Sequence, residues 1–384
     1  MEKYKTYLHF LFAKIHKDFK RYRISKLISW ELLPPLETGC TAIIGMCSRL
    51  PYVLGANLYC LNNIQWENLK EVIITVDAEK GALPKGFEDK IIQKFPQLNI
   101  KFFYYNHQQA KFTAKIGDPF IYSWLSWAIG LNHVRTKTVL IQDYDALVLG
   151  KTALERRYRT FLESGSKIQG VVWYKSNGFV TEDHITTTFE ALVDPNWIRA
   201  FPPIMGYNRV GLFKGRKIDY DTYLDIQANH TPENQITMIP MNLEELVHPS
   251  QMITQYMRFK KSPGKALPCF SVIMAPFFYF LSGQENAIAN ATQALKQESL
   301  KRVDLLQDGV LINLSLLNTK TVDWIMKHII QVLVKEDIKA FRSIIDYGIA
   351  LYQVCKTPEE QIWVGDFTDA QREWIEAAKA LLIK

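Results

Sequence analysis

Between residues 40 and 175 the sequence alternates short apolar runs with segments of helical periodicity, and this alternation constrains the fold most. The runs are rich in β-branched and aromatic residues and are too short for helices. They lie at Thr41–Ile44, Leu69–Val76, Ile100–Tyr105, Thr138–Gln142 and Gln169–Tyr174. Strands joined by crossover helices pair in parallel, with right-handed crossovers. We therefore predict an α/β fold with a doubly wound, mostly parallel sheet.

Composition divides the 384-residue chain into four segments. Residues 1–33 form a basic amphipathic helical segment that ends before Pro34 and Pro35, and residues 40–175 form the α/β half. Residues 176–265 are rich in Pro, Asn, Thr and aromatics, and we expect residues 176–320 to form an irregular region that completes the α/β domain. Within it the run Ala266–Leu281 favours buried strand and turn. Residues 321–384 carry apolar residues at helical spacing, so we predict a helical C-terminal region.

Two aspartates follow the fourth predicted strand, in the triplet Asp143-Tyr144-Asp145. Ligands of open α/β sheets bind just beyond the carboxyl ends of the strands, where these side chains lie. If the backbone stays extended, Asp143 and Asp145 point the same way. Paired carboxylates suit Mg²⁺ or Mn²⁺, which complete their coordination with water and substrate phosphates. The alternative is a turn cap or a solvated loop, which is the commoner role of such a triplet.

The net charge of +7 is concentrated at the N-terminus. Residues 1–30 contain eight basic and two acidic residues, so the rest of the chain is nearly neutral and does not resemble a nucleic-acid-binding surface. Apolar residues recur at helical spacing among these lysines and arginines, at Leu8, Leu11, Phe12, Ile15, Phe19 and Tyr22. Such a helix either binds an anionic membrane surface or packs its apolar stripe on the protein body.

The cysteines indicate the compartment. Cys40, Cys47, Cys60, Cys269 and Cys355 show no Cys-x-x-Cys spacing, so they fit buried thiols in a reducing cytoplasm. No signal peptide or membrane-spanning run is apparent. We predict a cytoplasmic protein with peripheral attachment to the inner face of a membrane as an option.

Three stretches, in order, resemble the nucleotide-sugar-binding half of GT-A-fold glycosyltransferases. They are TAIIGMCSRL, LKEVIITVDAEKG and KTVLIQDYDALVLG. The resemblance implies a nucleotide-diphosphate sugar, with UDP-sugar favoured, as donor and a divalent Mn²⁺ or Mg²⁺ that stabilises the leaving diphosphate. It also implies that Asp143 and Asp145 hold the metal, that Asp143 touches the nucleotide, and that four further residues line the nucleoside pocket: Gly45, Ser48, Arg49 and Asp77. The acceptor, whether carbohydrate, glycolipid or protein, is left open.

The third metal ligand and the catalytic base are less defined. His248 in Leu246-Val-His-Pro is a candidate ligand, because some enzymes of this kind place a histidine late in the chain. An inverting enzyme needs a carboxylate base. Asp308 has the expected late position before an apolar, helix-like run, although Gln307 stands where an acid is usual; Asp183 follows Glu182 but lies close to the triplet. Helix capping is the alternative role for both aspartates, and a retaining enzyme would need no such base.

Other functions compete with glycosyl transfer. Phosphotransferases of the haloacid-dehalogenase type also use Asp-x-Asp, but after their first strand, whereas three strand-helix units precede Asp143 here. A nucleotidyltransferase on a similar sheet would carry a glycine-rich loop after its first strand, and Gly45-Met-Cys-Ser-Arg-Leu-Pro51 matches that poorly. A non-catalytic, membrane-recruited scaffold or pseudoenzyme is the third alternative.

Overall fold

The computed structural model describes residues 4–173, 176–297, 301–333 and 338–382. The described residues form two compact units that are discontinuous in sequence. Unit 1 lies within residues 1–51, 61–146 and 150–243, and unit 2 lies within residues 52–60, 147–149 and 244–384. The four-segment division made from the sequence stays a prediction.

The strands of the described residues are short, and most of the longer ones belong to one sheet. In chain order they are β1 (Glu37–Met46), β2 (Leu69–Val76), β3 (Ile100–Tyr104), β4 (Thr136–Gln142), β5 (Leu147–Val148), β6 (Ile168–Val172), β7 (Thr186–Val193), β8 (Arg209–Phe213), β9 (Arg216–Tyr220), β10 (Ile236–Ile239), β11 (Leu246–Val247), β12 (Arg302–Val303) and β13 (Ile312–Asn313).

The α-helices are concentrated at the N-terminus, between the strands of unit 1, and toward the C-terminus. They are α1 (Tyr7–Ile24), α2 (Leu54–Ile64), α3 (Phe87–Lys94), α4 (His107–Ile116), α5 (Pro119–His133), α6 (Lys151–Ser164), α7 (Pro195–Arg199), α8 (Leu224–His230), α9 (Met252–Lys261), α10 (Ala275–Leu281), α11 (Ala287–Lys296), α12 (Thr319–Val332), α13 (Ile338–Val354) and α14 (Asp369–Leu382).

Unit 1 is built on a seven-stranded sheet of order β10-β6-β7-β4-β1-β2-β3. The pairs β1–β2, β1–β4, β2–β3 and β6–β10 are parallel, whereas β7 runs antiparallel to both β4 and β6. This confirms the predicted α/β class, the doubly wound, mostly parallel sheet and the five strands, although Tyr174 of the fifth lies outside the described residues. The N-terminal helix and the helical C-terminal region are confirmed as well.

Helix α5 covers β1 and runs antiparallel to it. A Cβ on Gly45, near the end of β1, would lie 2.9 Å from the Cβ of Ser126. One turn further along α5, a Cβ on Gly130 would lie 2.5 Å from Cγ2 of Ile43. The glycines therefore permit a close helix-strand approach. The first turn of α5 consequently lies at the carboxyl edge of the sheet, where ligands of such folds bind.

One predicted element is wrong. The run Ala266–Leu281, expected as strand and turn, forms a 3₁₀ turn at Ser271–Met274 followed by α10. Pro276 lies in the first turn of α10, where a missing N–H costs nothing. The helix is buried on most sides, so its sequence lacks the polar stripe that marks a surface helix. Among the described residues, no helix has both the length and the apolarity needed to cross a bilayer.

Replacing Gly130 tests the close approach of α5 to β1. Alanine favours helix by about 1 kcal/mol over glycine, yet Gly130→Ala should lower the free energy of unfolding by about 1–3 kcal/mol through overpacking against Ile43. Denaturant unfolding measures this. In an Ile43→Ala background the added penalty should largely vanish. Stabilisation by Gly130→Ala in the wild-type background would contradict the packing.

Candidate metal and nucleotide site

The predicted site residues of unit 1 lie at the carboxyl ends of three adjacent parallel strands. Ser48 and Arg49 follow β1, Asp77 follows β2, and Asp143 follows β4. The backbone N–H of Asp77 donates to the carbonyl of Met46 over 3.1 Å, so the ends of β1 and β2 remain paired to their last residues. The sheet thereby gathers at one edge side chains that are separated by up to about a hundred positions in the sequence.

The acidic triplet forms a tight turn and not the extended segment that we expected. The N–H of Ala146 donates to the carbonyl of Asp143 over 3.1 Å, and the N–H of Asp143 donates to Phe189 of β7 over 2.7 Å. The side chain of Gln142 is buried, and its amide donates to the carbonyl of Ala146 over 2.9 Å. Three hydrogen bonds therefore fix the turn: one spans it, one holds its first residue and one holds its last.

Tyr144, the middle residue of the triplet, attaches this turn to the loop after β1. Its hydroxyl lies 2.8 Å from the carbonyl oxygens of Leu50 and of Pro51. The ring is buried. The turn that carries both aspartates is thus fixed against the segment that follows Ser48 and Arg49.

A short strand pair brings a histidine to the two aspartates. β5 begins two residues after Asp145 and pairs antiparallel with β11, with Leu147 opposite Val247. His248 is the next residue after β11, so the antiparallel register returns it toward the triplet. One ligand atom from each of Asp143, Asp145 and His248 lies within 4.8 Å of the others.

This group suits a divalent cation. Two carboxylate oxygens and one imidazole nitrogen match the preferences of Mn²⁺, which accepts both oxygen and imidazole ligands. Asp145 is buried and the other two residues are partly buried. A partly exposed set of three ligands leaves coordination positions for water and a phosphate oxygen.

Asp77 and Ser48 form the second polar cluster of this edge. The N–H of Ser48 donates to Oδ1 of Asp77 over 2.7 Å. Burial raises the pKa of the Asp77 carboxyl above its ordinary value, and the hydrogen bonds from Ser48 and the charge of Arg49 offset only part of that rise. The side chain of Arg49 bonds the hydroxyl of Tyr122 in the first turn of α5. Asp77 and Arg49 are therefore held in place by the backbone and by a neighbouring helix.

Gly45 has a packing role that is visible in the structure. The space beside its Cα is occupied by Ser126 of α5, whose hydroxyl lies 2.9 Å from that of Tyr105. A larger residue at position 45 would push α5 from the strand. That Gly45 also lines the nucleoside pocket remains a prediction.

Asp183 has structural partners on both carboxylate oxygens. Oδ2 accepts the N–H of Val180 over 2.8 Å, and Oδ1 forms an ion pair with the guanidinium of Arg216. The hydrogen bond that Arg216 donates to Asp183 raises the pKa of the Arg216 guanidinium. Both carboxylate oxygens therefore have structural partners, which favours the capping role here.

Asp308 lies in an exposed loop of unit 2 and not before a helix. β13 follows it and α12 begins only at Thr319, so the helix-like interpretation of the run after Asp308 is wrong. Its Oδ2 accepts the hydroxyl of Tyr256 over 2.7 Å, and its Oδ1 accepts the N–H of Val310 over 3.1 Å. The apolar run Val310–Ile312 is too short to distinguish the helical from the strand periodicity.

Sequence reasoning missed three positioning residues of this edge: Gln142, Tyr144 and Tyr122. Gln142 is polar at the end of an apolar strand, which is a usable signal for a buried amide with a specific partner. Tyr144 was treated as a spacer between two ligands. Tyr122 carries no signal in the sequence, because its contact with Arg49 depends on the direction of α5.

Comparisons with known proteins give fold-level likenesses only. No protein-family model matches the sequence, and no curated protein matches it. The mannosyltransferase PcManGT from Pyrobaculum calidifontis, in complex with GDP-Man and Mn²⁺, is 15% identical with a TM-score of 0.36, over 90% of this chain and 95% of that one. S. aureus TarS 1–349, in complex with UDP-GlcNAc, is 10% identical with a TM-score of 0.33, over 84% and 93%.

A solved structure of another class is also similar. The 4-diphosphocytidyl-2C-methyl-D-erythritolsynthase from Anaerococcus prevotii DSM 20548 is 16% identical with a TM-score of 0.27, over 42% of this chain and 73% of that one. Similarities at such TM-scores assign neither a function nor site residues to this chain. The α/β fold assignment rests on the strand order and directions described above.

Removing the Tyr144 hydroxyl tests whether the turn must be fixed to the loop after β1. Tyr144→Phe should cost about 1 kcal/mol of stability through one lost hydrogen bond and weaken Mn²⁺-dependent nucleotide binding by about tenfold. Tyr158→Phe is the matched control, since that buried tyrosine bonds Gly39 and Thr138 near the starts of β1 and β4. Equal nucleotide affinity in the two variants would contradict the positioning role.

The raised pKa of Asp77 predicts a pH dependence of stability. Between its ordinary value of 3.8 and the raised folded value, the folded protein holds a proton that the unfolded chain has released. The free energy of unfolding therefore falls as pH rises through this window. Asp77→Asn keeps an acceptor for Ser48 and should remove that fall, which denaturant titrations at several pH values measure. An unchanged pH slope in the variant would refute this assignment.

Proposed function

We propose that this protein is a metal-dependent glycosyltransferase that uses a nucleotide-diphosphate sugar as donor. The observation that carries the proposal is the group of Asp143, Asp145 and His248, with ligand atoms within 4.8 Å of one another. The aspartates directly follow β4 of a mostly parallel sheet. Open sheets of this kind bind ligands beyond the carboxyl ends of their strands.

The three residues would hold Mn²⁺ or Mg²⁺. When bound, the ion supplies Lewis-acid stabilisation of the negative charge that grows on a leaving diphosphate. The protein contributes a preorganised site, because Gln142 and Tyr144 fix the turn before any ligand arrives. A site that is already ordered pays less entropy on binding.

The nucleoside would lie over the ends of β1 and β2. Asp77 offers a carboxylate to ribose or base donors, Ser48 offers a hydroxyl, and Arg49 offers a guanidinium suited to a phosphate oxygen. Burial of Asp77 strengthens such a hydrogen bond, since the surrounding dielectric is low. We favour a UDP-sugar as donor, and the acceptor remains a carbohydrate, glycolipid or protein. The five cysteines form no disulfides, which favours a reducing, cytoplasmic setting.

A base is needed only if the reaction inverts the sugar. Asp308 is the carboxylate that we retain for this role, because it is exposed and its partners are neutral donors, Tyr256 and Val310. Asp183 is the weaker candidate because of its ion pair with Arg216. Loss of activity in Asp308→Asn with an intact pH profile of nucleotide binding would separate catalysis from folding.

The aspartates should govern metal-dependent binding without governing the fold. UDP or GDP with Mn²⁺ should raise the melting temperature of the wild-type protein, and Asp145→Ala should abolish this shift. His248→Ala should weaken Mn²⁺ binding by more than the roughly 10–100-fold typical of an outer-shell partner. Asp89→Asn, which removes an exposed carboxylate in the first turn of α3, should leave the shift unchanged.

The products distinguish the competing functions. A panel of nucleotide sugars with Mn²⁺ should give a nucleoside diphosphate and free sugar by slow hydrolysis. Release of pyrophosphate from a nucleoside triphosphate and a sugar phosphate would instead indicate a nucleotidyltransferase. Binding without any turnover of donor would favour the pseudoenzyme. If no nucleotide shifts the melting temperature with metal present, the transferase proposal fails.

A further inference from the structure

Helix α1 exposes the apolar side that a surface helix normally buries. We call this side the outer face: Leu8, Leu11, Phe12, Ile15, Phe19 and Tyr22, with exposed fractions between 38% and 71%. On a helical wheel these residues share an arc about 100° wide. Phe12 and Tyr22 are the most exposed, at 71% and 69%. An apolar, aromatic-rich stripe in contact with water marks an interaction surface.

The opposite side of α1 attaches the helix to unit 1 and is rich in cations. Lys20 forms an ion pair with Asp118, and Arg21 donates to the carbonyl of Tyr207. Lys17 lies over the ring of Phe120, with Nζ 5.1 Å from the ring centroid. Phe10 and Ile24 are buried on this side as well.

The attachment is specific and not a loose collapse of a basic segment. Burial raises the pKa of the Asp118 carboxyl, but the hydrogen bond and charge of Lys20 more than offset it, so that this pKa lies below its ordinary value. The carboxylate also caps α5, accepting the N–H of Phe120 over 3.1 Å. The basic side of α1 therefore faces the protein and its apolar side faces solvent, because the cations have defined partners on the rest of unit 1.

The charge around the outer face indicates what covers it. Lys5, Arg23 and Lys26 are exposed along α1 and just beyond its ends. Joining two copies through their outer faces would bring these like charges together. An anionic bilayer surface meets both requirements, since it accepts apolar side chains and attracts flanking cations.

We propose that α1 is an interfacial membrane anchor that inserts its outer face into the headgroup region of an anionic bilayer while its basic side stays on the protein. This reverses the arrangement expected from the wheel alone, in which the lysines would serve the leaflet. Aromatic and aliphatic insertion supplies most of the binding, and the flanking cations select anionic lipid.

Vesicle flotation of the full chain tests the anchor. The wild-type protein should float with phosphatidylcholine vesicles that contain phosphatidylglycerol, and much less with phosphatidylcholine alone. The double variant Phe12→Ser/Phe19→Ser should lower the bound-to-free ratio by about tenfold or more, because two large apolar insertions are lost. Near-UV circular dichroism and the melting temperature should stay unchanged, since both rings are exposed.

A matched control and a second readout make the result decisive. Ile92→Ser/Leu162→Ser removes two exposed apolar side chains, 41% and 51% exposed, from α3 and α6 and should float like the wild type.

Flotation of the Phe12/Phe19 variant at the wild-type level would overturn the proposal, as would failure of the wild type to float. Concentration-dependent dimers that the same variant abolishes would assign the outer face to a second copy. Mn²⁺-dependent nucleotide binding should be unchanged, so the anchor and the transferase proposal fail independently.

Discussion

The hydrogen-bonded turn from Asp143 to Ala146 is the constraint on which the candidate site depends. It ends β4 and places the first residue of β5 immediately afterwards. Because β5 pairs with β11, the turn also determines where the chain returns some hundred residues later, with His248 next in sequence. The turn is stabilised by buried side-chain hydrogen bonds of Gln142 and Tyr144.

Two acidic side chains near this edge of the sheet are buried, which is energetically costly. Glu190 lies opposite Gln142 in the β4–β7 register and forms an ion pair with Arg157, with both side chains almost fully buried. A buried pair of this kind contributes little net stability, because desolvation offsets its attraction. Asp77 shows the same cost more plainly, since burial raises its pKa with only partial compensation. Glu190 lies on β7 opposite Gln142, and Asp77 directly follows β2, so both buried acids lie at or beside the candidate site.

The parts of this structure that were predictable are those in which a local pattern has one physical meaning. The prediction of a strand at Leu69–Val76 is confirmed to the residue, because Val72–Val76 is a buried run of β-branched residues and Lys70 and Glu71 mark its start. Asp143 and Asp145 could be placed at the sheet edge because carboxyl ends of parallel strands share an edge. His248 could only be a candidate, since a two-residue strand leaves no periodicity to read. The helix expected after Asp308 is wrong for the same reason, and the strand expected within Ala266–Leu281 is wrong because a helix buried on most sides lacks a polar stripe.

The orientation of α1 on the protein is a feature that its sequence alone does not determine. A wheel separates apolar from basic residues but does not say which side meets the protein; the partner Asp118 decides that, and it lies more than ninety residues away. Asp118 caps α5, and Tyr122 in the first turn of that helix bonds Arg49 at the carboxyl edge of the sheet. The residue that holds the proposed anchor and the residue that holds a proposed donor contact thus stand one turn apart on one rigid helix. A protein anchored through the outer face would be confined to the bilayer surface. Confinement to that surface would favour acceptors presented by the membrane over those free in solution, by the effective-concentration argument that applies to any tethered pair.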